Sequence, residues 1–225
     1  HSETKFITER VTETLGNLYA MHWPFKQLKT SRDRKLLPFH NDLKNKGACF
    51  GQVAGFERPM WYALNGNKAE YEYSYGYQNW YESAKYETIN TRKNVGLFDL
   101  SAFAKFEIKG TSAFEDLQRL CCNDIKNDPG KTTYTQMLNS KGGIVADLTV
   151  TCINENIFRI ITGSSVREHD KKHIKENLSG NTVLTDITED LACLGIFGPN
   201  SRQLLTDVFG NYFSPNDFMF GTAKE

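Results

Sequence analysis

The pair Gly142-Gly143, preceded by Ser140 and Lys141, interrupts two runs that both carry strand period. Residues 134–138 and 145–153 are therefore predicted to form a β-hairpin closed over 140–143. In the second run Ala146, Leu148, Val150 and Cys152 make an apolar face, while Asp147, Thr149 and Thr151 share the other with Val145 and Ile153. In the first run Tyr134 and Gln136 lie on one face. With Asn139 paired to Ile144, Gln136 sits opposite Asp147 and Tyr134 opposite Thr149. Tyr134 and Asp147 are then diagonal neighbours, about 5.5 to 8 Å apart. A slip of one residue would send them to opposite faces. On spacing alone Asp147 is more often a surface carboxylate on a half-exposed strand.

Asn154-Glu155-Asn156 turns the hairpin into a third strand over 157–162. Further strands are expected at 97–109, 182–187 and 191–197. Helices are expected at 4–20, 39–46, 79–93, 111–121, 165–177 and 199–209, from apolar residues at helical spacing and from Thr111 and Pro199 at their starts. Antiparallel strands alternating with packed helices predict an α+β fold rather than a doubly wound sheet. The basic stretch 26–35 has the composition of a solvated connector, and an organisational boundary is placed there. Tyr71, Tyr73, Tyr75 and Tyr77 alternate with strand period. Such a face can stack on a ligand, but packing against the domain is the commoner use, and without basic neighbours it is no nucleic-acid platform.

Lys plus Arg and Asp plus Glu each number 27, so nothing in the charge favours nucleic acid or an anionic membrane as a partner. No apolar stretch approaches the roughly 18 to 20 residues that span a bilayer, and a soluble protein is expected. The five cysteines are odd in number and include no C-x-x-C, which predicts free thiols in a reducing compartment such as a bacterial cytoplasm or a mitochondrial matrix. Three motifs drop out. Gly130-Lys131-Thr132 lacks the glycine five residues before the Gly-Lys pair that a phosphate loop needs, since position 125 is Ile125. His169 and His173 share a helix face with Lys172 between them, so no metal is assigned. There is no G-x-G-x-x-G, hence no dinucleotide fingerprint.

Several runs resemble one family. Gly47 to Tyr62 (GACFGQVAGFERPMWY) is similar to the segment leading into the folate half of dimethylglycine and sarcosine dehydrogenases, and Leu18 to Pro24 (LYAMHWP) to the end of their central domain. Asn94 to Ser101 (NVGLFDLS), Met137-Leu138-Asn139, Gly142-Gly143-Ile144 with Asp147, and Leu194 to Pro199 (LGIFGP) resemble the aminomethyltransferase module shared with the glycine-cleavage T-protein. Ile161 to Ser164 (ITGS) is closer to the dehydrogenase version. The resemblance covers essentially the whole chain, with its pieces in order.

The resemblance implies an aminomethyltransferase-like, folate-binding α+β fold over 37–225, with residues 1–36 ending a central domain that follows a flavin domain. It implies Asp147 as the catalytic carboxylate and Tyr134, Thr149 and Thr162 as cofactor-binding residues. Tetrahydrofolate is the implied cofactor, and FAD that of the full-length protein, not held by this chain. The partners implied are a methylated amine, its iminium or formaldehyde, and the remainder of the polypeptide. The T-protein has two successive acids where this chain has Ala146 and Asp147, and the dehydrogenases often lack that first acid too. The module is expected to continue past Glu225 into a segment with a glutamate and an arginine that grip folate, leaving the site here incomplete. Two other readings remain. A free-standing aminomethyltransferase is disfavoured by residues 4–24. A regulatory subunit like that of pyruvate dehydrogenase phosphatase is disfavoured by retention of Asp147.

Overall fold

A computed structural model describes residues 2–64 and 66–224. In chain order the elements are α1 (Ser2–Gly16), β1 (Lys35–Leu36), α2 (His40–Asn45), β2 (Ala48–Val53), β3 (Phe56–Tyr62), α3 (Tyr81–Lys93), β4 (Gly96–Asp99), β5 (Ala104–Gly110), α4 (Ala113–Leu120), β6 (Thr132–Leu138), β7 (Ile144–Asn154), β8 (Ile157–Thr162), α5 (Arg167–Asn177), β9 (Thr182–Asp186), β10 (Leu194–Phe197) and α6 (Ser201–Phe209). The fold is α+β, and every strand pairing but one is antiparallel. No helix among the described residues is long and apolar enough to cross a membrane. Two compact units form, one from residues up to Ala102 with Leu194–Pro199, the other from Phe103–Cys193 with Asn200–Glu225.

The second unit is built on a five-stranded sheet in the order β6-β7-β8-β5-β9. Strict alternation along β7, with Ala146, Leu148, Val150 and Cys152 buried, turns one face of the sheet into a core wall. Helix α4 closes that wall with Ala113, Leu117 and Leu120, and α5 with Ile174, over Phe106, Ile108, Phe158 and Ile160. Each fully buried side chain of this size contributes about 1.5–3 kcal/mol, which ties the sheet to its helices. Gly110 ends β5 where no other residue fits: its φ is +155° and an added Cβ would lie 2.0 Å from the carbonyl oxygen of Asn181. The outer edge of β6 is covered by the C-terminal segment, through Thr132 N–H to Gly221 O (2.9 Å) and Ala223 N–H to Gly130 O (2.7 Å).

The first unit has two small sheets, β1-β3-β2 and β10-β4. Here three expectations are corrected. The stretch 26–35 is not a solvated connector: Arg32 donates through Nε to both carboxylate oxygens of Glu57 (2.9 and 3.1 Å), and β1 pairs in parallel with β3. Glu57 is fully buried, and its carboxylate also accepts from Asp33 N–H (2.9 Å) and Gln52 Nε2 (3.0 Å). The alternating tyrosines do not form a strand. Tyr71 and Tyr73 stack on each other at 5.7 Å and meet Trp80 edge-on, while Tyr75 and Tyr77 stay exposed. Ring packing in an irregular loop satisfies them better than a period-2 ladder with no partner strand. Residues 97–109 are two strands rather than one. The carboxyl of Asp99 accepts the Ser101 N–H (2.9 Å), and this turn ends β4 before β5 begins. Only Ala104–Gly110 joins the hairpin's sheet.

Helix α1 has its apolar stripe exposed, with Ile7, Val11 and Leu15 each at least half accessible. Its polar face is the bound one: Glu13 accepts the N–H groups of Lys29 (2.7 Å) and Thr30 (2.9 Å), and Arg10 donates to Gln52 (2.6 Å). Hydrophobic periodicity located this helix but not which side of it this chain covers. All five cysteines are free thiols. Burial pushes the Cys121 thiol up to about 12 and that of Cys49 to about 11, so both are protonated and unreactive at neutral pH.

Candidate functional site

Strands β6 and β7 pair in the register expected, Gln136 opposite Asp147 and Tyr134 opposite Thr149. A bulge between Met137 and Leu138 shifts the end of the hairpin, so that Leu138 rather than Asn139 faces Ile144. Asn139 organises the loop instead, its Oδ1 accepting the N–H groups of Lys141 and Gly143, both at 2.9 Å. Gly142 takes φ +79°, a left-handed turn position that suits glycine. Beyond β6, the segment after α4 straps the strand: Cys122 N–H bonds Gln136 O (2.9 Å) and Asn123 Nδ2 bonds Tyr134 O (3.1 Å). The register is thus held from both sides.

Tyr134, Gln136, Asp147 and Thr149 share the sheet face turned away from the core, with Tyr134 62% exposed. Gln136 Nε2 donates to Asp147 Oδ1 (2.9 Å). The Tyr134 phenol beside Asp147, together with Gln136, holds the Asp147 carboxyl below the usual carboxylate range, and the carboxylate raises the phenol in return. The result is an exposed anion at neutral pH, steadied by two donors and open to solvent. Gln136 was visible in the sequence only as Asp147's cross-strand partner; its role as a donor that orients the carboxylate appears in the structure. Ala146 is buried on the core side of the strand. An acid at that position would point into apolar packing, which rationalises alanine here.

Thr162 is not on this face. It pairs with Leu148 across β7–β8, is almost fully buried, and donates from Oγ1 to Asp170 Oδ2 (2.6 Å). Period 2 puts it with Phe158 and Ile160, so it supports α5 rather than meeting a ligand on the Asp147 face. Asp170, itself fully buried, has a second contact from His169 Nδ1 (2.9 Å). Sequence reading passed over Asp170 because a carboxylate in a charged helix resembles a solvated one. Replacing Thr162 with Val should destabilise the chain by about 1–3 kcal/mol, the cost of an under-satisfied buried group. Denaturant unfolding measures this. An unchanged midpoint with weakened folate binding would return Thr162 to the ligand set.

Residues 39–225 match the family model described as the GCVT N-terminal domain, and residues 1–36 match the FAD dependent oxidoreductase central domain. The chain belongs to the GCVT N-terminal domain family. It is 39% identical over 214 residues to the 4-methylaminobutanoate oxidase (formaldehyde-forming) of Paenarthrobacter nicotinovorans, covering 95% of this chain and 25% of that protein. To the mitochondrial sarcosine dehydrogenase of Mus musculus it is 28% identical over 261 residues, covering 98% of this chain and 28% of the relative. The chain therefore spans about a quarter of the length of these relatives. Among solved structures, the glycine cleavage system aminomethyltransferase T from Bartonella henselae matches with a TM-score of 0.61 at 24% identity, over 77% of this chain and 43% of that one. The GCVT fold is thus shared; the two relatives are an oxidase and a dehydrogenase by name, and a further one, 28% identical over 236 residues, is the mitochondrial pyruvate dehydrogenase phosphatase regulatory subunit of Mus musculus.

Proposed function

We propose that this GCVT module is the folate-side portion of a flavin-dependent N-methyl amine dehydrogenase and passes the oxidised methyl carbon to tetrahydrofolate. The observation that carries the reading is the exposed Asp147 carboxylate, oriented by Gln136 and flanked by Tyr134 on one sheet face. Oxidation of an N-methyl amine leaves an iminium, or formaldehyde once water adds, and both are electrophilic at carbon. Tetrahydrofolate, when bound, supplies two amine nitrogens that form the carbon bridge as water or the parent amine leaves.

The residues present suit that ligand's chemistry. A carboxylate held anionic favours a cation beside it, so Asp147 stabilises positive charge that develops during transfer and accepts the proton a folate nitrogen sheds. Its lowered pKa weights the first role over the second, because a weak base accepts protons poorly. Tyr134 offers a ring for stacking and a phenol for hydrogen bonding, and Thr149 opposite it a hydroxyl on the same face. The flavin belongs to the rest of the polypeptide, which fits the absence of a dinucleotide loop from this sequence. A bacterial cytoplasm or a mitochondrial matrix would suit such a protein.

In the full-length protein, tetrahydrofolate should suppress release of free formaldehyde during amine oxidation, with methylenetetrahydrofolate rising in equal amount. The conversion should outrun the uncatalysed condensation, measured with formaldehyde added at the same rate. Formaldehyde release that is the same with and without tetrahydrofolate would sink the proposal.

A further inference from the structure

Helix α1 is held to the first unit by its polar side. Arg34 lies over the Phe6 ring at 4.7 Å, Ser31 Oγ donates to Glu9 Oε2 (2.5 Å), and Arg10 donates to Ser31 O (3.1 Å). With Glu13 on Lys29 and Thr30, these contacts define one face. Ile7, Val11 and Leu15, four residues apart, form the other and stay exposed. At 3.6 residues per turn the two groups lie about 150° apart. Exposure continues past the helix through Leu18, Met21 and Phe25, each at least half accessible. An amphipathic helix ordinarily turns its apolar stripe inward, and a contiguous exposed apolar patch marks an interaction surface. Here the polar side grips the unit and the apolar side is left outward.

The family matches divide the same way. All six exposed side chains lie within residues 1–36, which match the FAD dependent oxidoreductase central domain, while the match to the GCVT N-terminal domain starts at residue 39. The relatives align with 95% and 98% of this chain, which spans only 25% and 28% of their lengths. We propose that the stripe from Ile7 to Phe25 docks on the flavin-bearing remainder of the same polypeptide, so that α1 is an element shared between that part and the first unit. This rests on the reading of the chain as one portion of a flavin-dependent protein, but not on folate transfer. The stripe is aliphatic, thioether and aromatic, so its counter-surface is apolar and uncharged. A second copy of the chain fits less well. Six side chains offering about 100 Å² each fall short of the roughly 800 Å² per partner that a stable two-chain interface buries, whereas a tethered partner binds at high effective concentration.

The test uses the full-length protein with its flavin bound, the flavin being checked by absorbance. Val11→Cys keeps a small apolar side chain, and its alkylation by N-ethylmaleimide is followed by peptide mass spectrometry. The thiol should react about tenfold or more slowly in the native protein than in urea, because a docked stripe must open before it is reached. Val11→Asp places an unpaired charge in the docked surface and should speed amide hydrogen exchange across α1 by about tenfold or more, with the flavin absorbance unchanged. Where that variant fails to fold, the alkylation of Val11→Cys decides alone. Alkylation as fast in the native protein as in urea would overturn the proposal, as would exchange in folded Val11→Asp that matches wild type. Protection that vanishes on dilution, together with dissociation in sedimentation, would assign the stripe to a second copy instead. A full-length protein without flavin would remove the named partner, and its absorbance distinguishes that failure from free alkylation of a flavin-loaded one. Asp147→Asn should leave all these rates unmoved.

Discussion

Replacing Asp147 with Asn, in a full-length protein that carries this chain, should lower folate-dependent product formation by about 10²-fold or more, the usual scale for losing one group that stabilises developing charge. The amide keeps the size of the side chain and can still accept from Gln136, which bonds Asp147 Oδ1 at 2.9 Å in the native chain. What disappears is the negative charge that Tyr134 and Gln136 stabilise. Amine oxidation at the flavin should continue, so formaldehyde should accumulate where methylenetetrahydrofolate formed before. Stability should barely change, because the position is exposed and the swap isosteric. Both products are measured side by side for wild type and variant, with tetrahydrofolate present. Unchanged partitioning between them would make Asp147 an ordinary strand residue and would favour a regulatory role for this GCVT module.

Arg32→Met should destabilise the first unit by about 3–5 kcal/mol, since it strands a fully buried carboxylate. Glu57 keeps the Asp33 and Gln52 hydrogen bonds, but no neutral donor replaces the guanidinium at its two oxygens. The double variant Arg32→Met with Glu57→Leu removes charge and countercharge together and should recover most of the loss. The acid response follows from Glu57. Burial raises its pKa, yet the Arg32 hydrogen bonds and charge outweigh burial and hold it below the ordinary glutamate value of 4.5. Its contribution is thus complete above about pH 4.5 and is lost as pH falls through the folded-state value. Urea unfolding at neutral and acid pH measures both effects. A loss under about 1 kcal/mol for Arg32→Met would class the pair with exposed surface bridges.

Much of the hairpin's chemistry was legible before any coordinates. Period-2 patterning over β7 demanded that Ala146, Leu148, Val150 and Cys152 face one way, which left Asp147 and Thr149 facing the other. The Gly142-Gly143 turn then set the register that brings Tyr134 diagonal to Asp147. Thr162 was chosen by resemblance rather than by its own strand's alternation. Counting from Phe158 and Ile160 along β8 would have placed it in the core. The strand expected at 97–109 failed for a local reason. Asp99 and Ser101 form a turn through a side chain, and an apolar run on either side hides it.

What the sequence by itself determined is therefore the local and periodic part: the hairpin, its inward and outward faces, the helices, and the α+β class. These follow from side-chain direction over a few consecutive residues, where the backbone leaves two periods to choose between. Only the tertiary structure decided the pairings between residues distant in the chain. Arg32 finds Glu57 across 25 positions and turns an apparent connector into part of a sheet. The polar side of α1 is the bound one, and Asp99 keeps a buried oxygen without a partner. No periodic signal encodes such contacts, because each is settled by what desolvation costs a charge and by which distant group can offset it.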